Sequence, residues 1–247
     1  MSEAPLFVGA AWVDGDWLAV ALDGEGVASA AVLDDVGDLW YRHEERARRI
    51  LVDVPIGLPG EAGARRRCDE LARSVLGDRG DALLAPPVRE ATRKQRHATA
   101  TRVHERTTGR ELSAAAFARS DGIAAIDELL GELPEARSVV GEAHPEVCYR
   151  AFAGEPMAHD PDTAGGYAER LRTLSEHDRD APPALVEVGD SVAGAPVSVA
   201  DAMTALALAY TARPGTGELR TLPPDPDTDD RGLPMGMHYR AEQPLAE

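Results

Sequence analysis

The stretch Leu51–Pro59, "LVDVPIGLP", sets an aspartate inside an apolar run. An unpaired carboxylate buried in such a run costs several kcal/mol even after relaxation, so Asp53 requires hydrogen-bond donors, a counter-ion or a metal. Its neighbours supply no basic side chain, and Pro55 removes a backbone donor. What surrounds this strand therefore decides the fold.

Upstream, "LFVGAAWV" and "WLAVAL" flank Asp14-Gly15-Asp16, a hairpin turn signal. A third strand, "GVASAAVL", follows the Gly24-Glu25-Gly26 turn. "DVGDLWYRHEERARR" has acids early, basic residues late and apolar residues at helical spacing, so it predicts a helix leading into a strand over Ile50–Val54. A β-β-β-α-β order lets that strand pair in parallel beside the first, which makes this an α/β protein.

Downstream, "ARRRCDELARSVLG", "REATRKQRHATATRVHERTTG" and "SAAAFARSDGIAAIDELLGEL" read as helices, the first closing on Gly77 and the other two joined at Gly109. They are expected to form a helical insertion over 63–135 within a single domain spanning 1–247. A strand through Val139 and Val140 then precedes a helix opening at Pro145. Two more helices are predicted in "GGYAERLRTLSEH" and "SVADAMTALALAYTA", the latter small and apolar enough to pack closely on a sheet. From 214 to 247 the Pro- and Asp-rich composition predicts a mostly irregular tail.

The 247 residues are 43% hydrophobic, enough for a real core. Cys68 and Cys148 match no zinc or CxxC spacing and read as buried, reduced thiols. No apolar run is long enough for a signal segment or a membrane span, so a soluble, cytoplasmic protein is expected. The formal charge is −17, from 43 Asp plus Glu against 26 Lys plus Arg, with Lys94 the single lysine. Either the chain is adapted to high salt, the expected case, or it is an acidic protein of ordinary surroundings. The charge also weighs against loose attraction to nucleic acid, which depends on Lys and Arg displacing counter-ions.

Two further acids stand at the ends of core elements: Glu142 after "SVVG", and Asp201 in the first turn of the last predicted helix. If the two strands pair and that helix crosses them, Asp53, Glu142 and Asp201 converge at one edge of the sheet, as ligands of a divalent cation would. Each has a plainer role available. Ser198 and Asp201 stand in capping-box relation, and His144 is as much a partner for Glu142 as a ligand. Arg89, beside "APP", is the candidate phosphate contact. The arginines at 65, 66, 67 and 73 are expected to pair with Asp69 and Glu70 along one helix.

"LVDVPIGLP", "RRCDELARSVLG", "APPVREA", "EAHPEVCYRAFAGEP" and "ADAMTALALAYTA", in that order, resemble an uncharacterised family of predicted ribonuclease H-like nucleases, a domain-of-unknown-function family. The resemblance covers nearly the whole chain. It implies a ribonuclease H-like core, a five-stranded mixed sheet whose first three strands are antiparallel, flanked by helices. The last helix also looks like the metal-bearing helix of Holliday-junction resolvases.

The resemblance further implies a divalent-metal-dependent nuclease, a hydrolase of phosphodiesters, in which acids hold two Mg2+ or Mn2+ ions ~3.5–4 Å apart, one activating water and the other stabilising the leaving oxygen. Asp53 matches the acid of the fourth strand, Asp201 the helix acid and Glu142 an additional one, with Arg89 and His144 as substrate contacts. One ligand is missing. Gly9-Ala10-Ala11 and Trp17 occupy the register where the family carries its first-strand aspartate, placing Ala11 at that position. Val197-Ser198 and Pro161-Asp162 are smaller departures, and Asp14 and Asp16 belong to the hairpin turn. The resemblance therefore implies a weakened site whose activity is expected to rise on Ala11→Asp. The rival is a catalytically inactive nucleic-acid-binding or scaffold protein that keeps the fold. A phosphotransferase of the actin type shares this sheet order but would need a Gly-rich phosphate loop and a second copy of the core, neither of which is present.

Overall fold

The computed structural model describes residues 4–60 and 65–246. Three strands open the chain: β1 (Leu6–Val13), β2 (Asp16–Leu22) and β3 (Val27–Leu33). They pair antiparallel in sequence order. Their first turn puts Asp14 at φ 48° and Gly15 at φ 112°, the positive angles that a two-residue hairpin loop requires. Helix α1 (Val36–His43), capped by Asp35, leads to β4 (Ala47–Val52), which lies parallel to β1. Asp53 thus falls one residue past the strand rather than in its middle, although its N–H still reaches Ala10 O at 3.2 Å.

Between β4 and β5 (Val140–Glu142) come α2 (Arg67–Leu76), α3 (Arg89–Thr92), α4 (His97–Thr108), α5 (Ala114–Ala118) and α6 (Ser120–Glu132), with 3-10 turns at Gly77–Ala82 and Pro134–Ser138. The expected start of the insertion at 63 lies outside the described residues. The two long helical stretches each divide, the first after Thr92 and the second at Arg119. After β5 follow α7 (Pro145–Ala153), α8 (Ala164–His177), α9 (Ala181–Ser191) and α10 (Val199–Ala212). No helix among the described residues is long and apolar enough to cross a membrane.

The C-terminal segment corrects the sequence reading. In place of an irregular tail, β6 (Glu218–Thr228) and β7 (Pro234–Ala241) form an antiparallel pair, and β7 joins β5 in parallel through Glu142 and Met237. The mixed sheet therefore has seven strands, in the order β3-β2-β1-β4-β5-β7-β6, where five were expected. Prolines 223, 224 and 226 disguise β6, yet they are tolerated because β6 is an edge strand whose outer N–H groups need no partner.

Two cores flank the sheet. One face packs β1, β2 and β4 against α7 to α10, the other against α1 and α6. Helix α10 comes closest: a Cβ on Gly9 would lie 2.1 Å from Ala205 O and 2.3 Å from Ala209 N. Only a glycine in β1, facing a helix rich in alanine, permits that approach. Ala11 lies two residues further along the same face of β1, 2% exposed and in the α10 core.

Candidate functional site

At the carboxyl ends of β4 and β5 a small cavity of about 120 Å³ is lined by Asp53, Arg119, His144, Pro86, Pro87 and Ile123 among others. Asp53 Oδ1 accepts from Trp12 N at 2.8 Å. Its Oδ2 lies 2.9 Å from Arg119 Nη2, which also donates to Asp53 O at 2.8 Å. The acid that lacked a basic neighbour in sequence thus has one in space. Arg119 stands at the junction of α5 and α6, and the apolar face of α6, with Ile123, Ile126 and Leu130, docks it against the sheet. Gly122 permits that docking, since a Cβ there would lie 2.6 Å from Trp12 Cδ2.

His144 precedes α7 and caps it, its Nδ1 accepting from Glu146 N at 3.3 Å. The ring proton therefore sits on Nε2. Burial, reinforced by Arg119 and Arg73 and opposed by a hydrogen bond to Ala82, pushes its pKa down to about 3, so His144 is a neutral imidazole.

Glu142 takes another direction. Its Oε2 accepts from Ile56 N at 2.7 Å and from Arg66 Nη2. Arg66 is 1% exposed and also donates to Asp69 Oδ1 at 2.9 Å and to Ile56 O at 3.0 Å. Burial pushes the Glu142 pKa up to about 7, against the pull of Arg66, and raises Asp69 as well. The pairing expected along this helix is present in Arg66–Asp69 and Arg65–Glu70, but the first pair is buried and extends to Glu142.

Asp201 is the N3 residue of α10. Its Oδ2 accepts from Ser198 N at 2.8 Å and Ser198 Oγ at 2.7 Å, while Asp201 N donates to Ser198 Oγ at 3.1 Å, a complete capping box. Arg89 is equally committed. It makes a bidentate pair with Asp127, Nε–Oδ2 2.9 Å and Nη2–Oδ1 3.0 Å, and further bonds to Asp229 and Asp230. All three guanidinium nitrogens of Arg89 are bonded to carboxylates, and it fastens the turn between β6 and β7 to α6.

Asp53 and His144 therefore share a cavity, whereas Asp53, Glu142 and Asp201 do not bring carboxylate oxygens within 4.8 Å of one another. Among the described residues the group that meets this separation is Cys68, Asp69 and Glu142. The donor chemistry there suits a cation poorly: the Arg66 guanidinium already bridges both carboxylates, and burial raises the Cys68 thiol pKa so that it keeps its proton. The predicted acids likewise do not fit a two-magnesium centre, because Asp53 is neutralised by Arg119, Glu142 by Arg66, and Asp201 serves its helix.

Sequence reasoning missed Arg119, and it paired Arg66 with Asp69 but not with Glu142. Arg119 carried no local signal. For Arg66 there was a partial one, since Cys68, Ala72 and Leu76 mark the buried side of α2. No curated protein and no solved structure matches the chain. A family model described as "Protein of unknown function (DUF429)" matches residues 13–228, and the chain belongs to that family.

Proposed function

We propose that this protein has a ribonuclease H-like core and works by binding nucleic acid rather than by two-metal hydrolysis. The strand order β3-β2-β1-β4-β5, with α10 laid across β1 and β4, supports the fold assignment. The observation that carries the functional reading is the Asp53–Arg119 pair. A guanidinium occupies the charge-balancing role that a divalent ion would have beside the β4 acid, and Ala11 offers no second carboxylate.

The same edge concentrates positive charge in an otherwise acidic chain. Beside the Asp53 cavity, and sharing Ala85 and Pro86 with it, a second cavity of about 200 Å³ is lined by Arg65, Arg66, Arg73 and Arg110. Arg66 is buried there between Glu142 and Asp69, so Arg65, Arg73 and Arg110 are the side chains that would contact backbone phosphates directly, without the diffuse lysine-rich field that the composition lacks. The test is twofold. Purified protein is expected to leave single-stranded, duplex and branched substrates uncut in Mg2+ or Mn2+, and to bind at least one of them with an affinity reduced in Arg73→Gln and Arg119→Gln. Metal-dependent cleavage abolished by Asp53→Asn would overturn this reading in favour of the nuclease.

A further inference from the structure

The C-terminal hairpin, β5 and the 3-10 turn before it enclose a cavity of about 230 Å³, lined by Arg49, Arg137, Ser138, Glu142, Thr221 and His238 together with apolar residues. Arg49 is its unusual member. Other half-buried or buried arginines of this acidic chain have partners: carboxylates for Arg66, Arg89, Arg119, Arg170 and Arg213, and backbone carbonyls for Arg46, Arg73, Arg150 and Arg240. Arg49 has neither a carboxylate nor a hydrogen-bond partner among the described residues, and burial alone lowers its pKa. With 43 acids available to 26 bases, a partly desolvated guanidinium without a counter-ion is a cost that an external anion would offset.

The remaining groups narrow the anion. Arg137 uses Nε on Leu130 O, at 2.6 Å, which leaves the outer face of its guanidinium for a ligand at the rim. His238 stacks on Gly141, where a Cβ would come within 2.6 Å of the ring. Its Nδ1 lies 3.0 Å from the Glu142 carbonyl, so Nδ1 carries the proton and Nε2 presents a lone pair. Burial and the nearby charge of Arg49 push the imidazole down to about 4, which keeps that lone pair bare. The Glu142 side chain is turned to Arg66 and Ile56 N. Guanidinium groups beside a lone-pair acceptor ask for a ligand bearing both anionic oxygens and an O–H. Protonated phosphate has both; sulfate and ionised carboxylates do not.

We propose that this cavity is a binding site for a singly protonated phosphoryl group, supplied by inorganic phosphate or by a small phosphomonoester, held by Arg49 and Arg137 and read by His238. The site is separate from the Asp53 edge, and the proposal stands independently of the function proposed there.

The full-length protein should be melted at constant ionic strength against inorganic phosphate, sulfate and a nucleoside 5′-monophosphate. Phosphate or the monophosphate is expected to raise the Tm progressively with concentration, as a ligand specific to the native state must. A response to phosphate alone marks the free ion as ligand; a response to the monophosphate alone marks the ester. Sulfate should act more weakly, and Arg49→Gln should lose the response. Arg137→Gln, at the exposed rim, gives the same reading if Arg49→Gln folds poorly. Stabilisation shared equally by sulfate and phosphate, equal shifts in wild type and both variants, or no shift with either phosphate source would overturn the proposal.

Discussion

Arg119 Nη2 stands 2.9 Å from Asp53 Oδ2 and 2.8 Å from Asp53 O, so a single guanidinium neutralises the side chain and satisfies the backbone of the same residue. This contact joins the end of β4 to the start of α6 and holds the helical segment over the carboxyl edge of the sheet. Arg119→Ala is expected to cost ~1–3 kcal/mol, the scale of a charge-assisted bond whose removal strands a part-buried carboxylate. Urea titration would show it as a lower midpoint at unchanged slope. Arg119→Lys should recover only part, because an ammonium does not reproduce the planar fork. An Ala variant with the wild-type midpoint would show that the pair does not anchor the helix.

Ala11→Asp places a carboxylate in the seam between β1 and α10, where Ala11 is 2% exposed. A loss of at least ~2 kcal/mol is expected from burying it. Manganese should not restore stability, since Asp53 stays engaged by Arg119. In the double variant Ala11→Asp/Arg119→Gln both carboxylates lack a cation, and a manganese-dependent rise in Tm is expected there. Cleavage gained by Ala11→Asp alone would show that the metal site assembles in spite of Arg119.

Glu142 supplies a pH signature. Its folded pKa, pushed by burial from an ordinary 4.5 up to about 7, means that the native state holds the proton more tightly than the unfolded chain. Its contribution to stability is therefore largest at low pH and declines as pH climbs from about 4.5 to about 7. The wild-type-minus-Glu142→Gln difference in unfolding free energy should fall across that window and flatten above it. A difference independent of pH would mean that Arg66 keeps the carboxylate ionised throughout.

Asp229 closes the turn between β6 and β7. It accepts from Leu233 N and Arg231 N at 2.9 Å and from Leu58 N at 3.1 Å, and pairs with Arg89. Burial alone would raise its pKa, but these donors outweigh burial and lower it. Asp229→Ala should cost ~2–4 kcal/mol by leaving several donors and a guanidinium unmatched. Hydrogen exchange should quicken first in β6 and β7. Uniform quickening across all seven strands would instead indicate a global loss.

The formal charge of −17 should make stability depend on salt. Carboxylates repel over ~30 Å at 0.01 M ionic strength and only ~3 Å at 1 M. Melting temperature is therefore expected to rise with KCl, while any phosphate-backbone contact weakens over the same range. A flat or falling melting temperature would remove the support for adaptation to high salt.

The sequence by itself determined the elements whose signals are local. Short apolar runs on either side of the Asp14-Gly15 turn specify the β1–β2 hairpin. The small apolar run after Ser198 specifies α10, and Ser198 with Asp201 specifies its cap. The parallel placement of β4 beside β1 follows from the single helix between β3 and β4. The tertiary structure alone decided what the charged residues do, because an ion pair depends on which distant segments meet. Asp53 finds Arg119 across 66 positions, and Glu142 receives the Ile56 N–H across 86. The hairpin of β6 and β7 belongs with these. Its prolines read locally as loop, and only docking beside β5 makes an edge strand of them, since an edge strand needs few of the N–H groups that proline lacks.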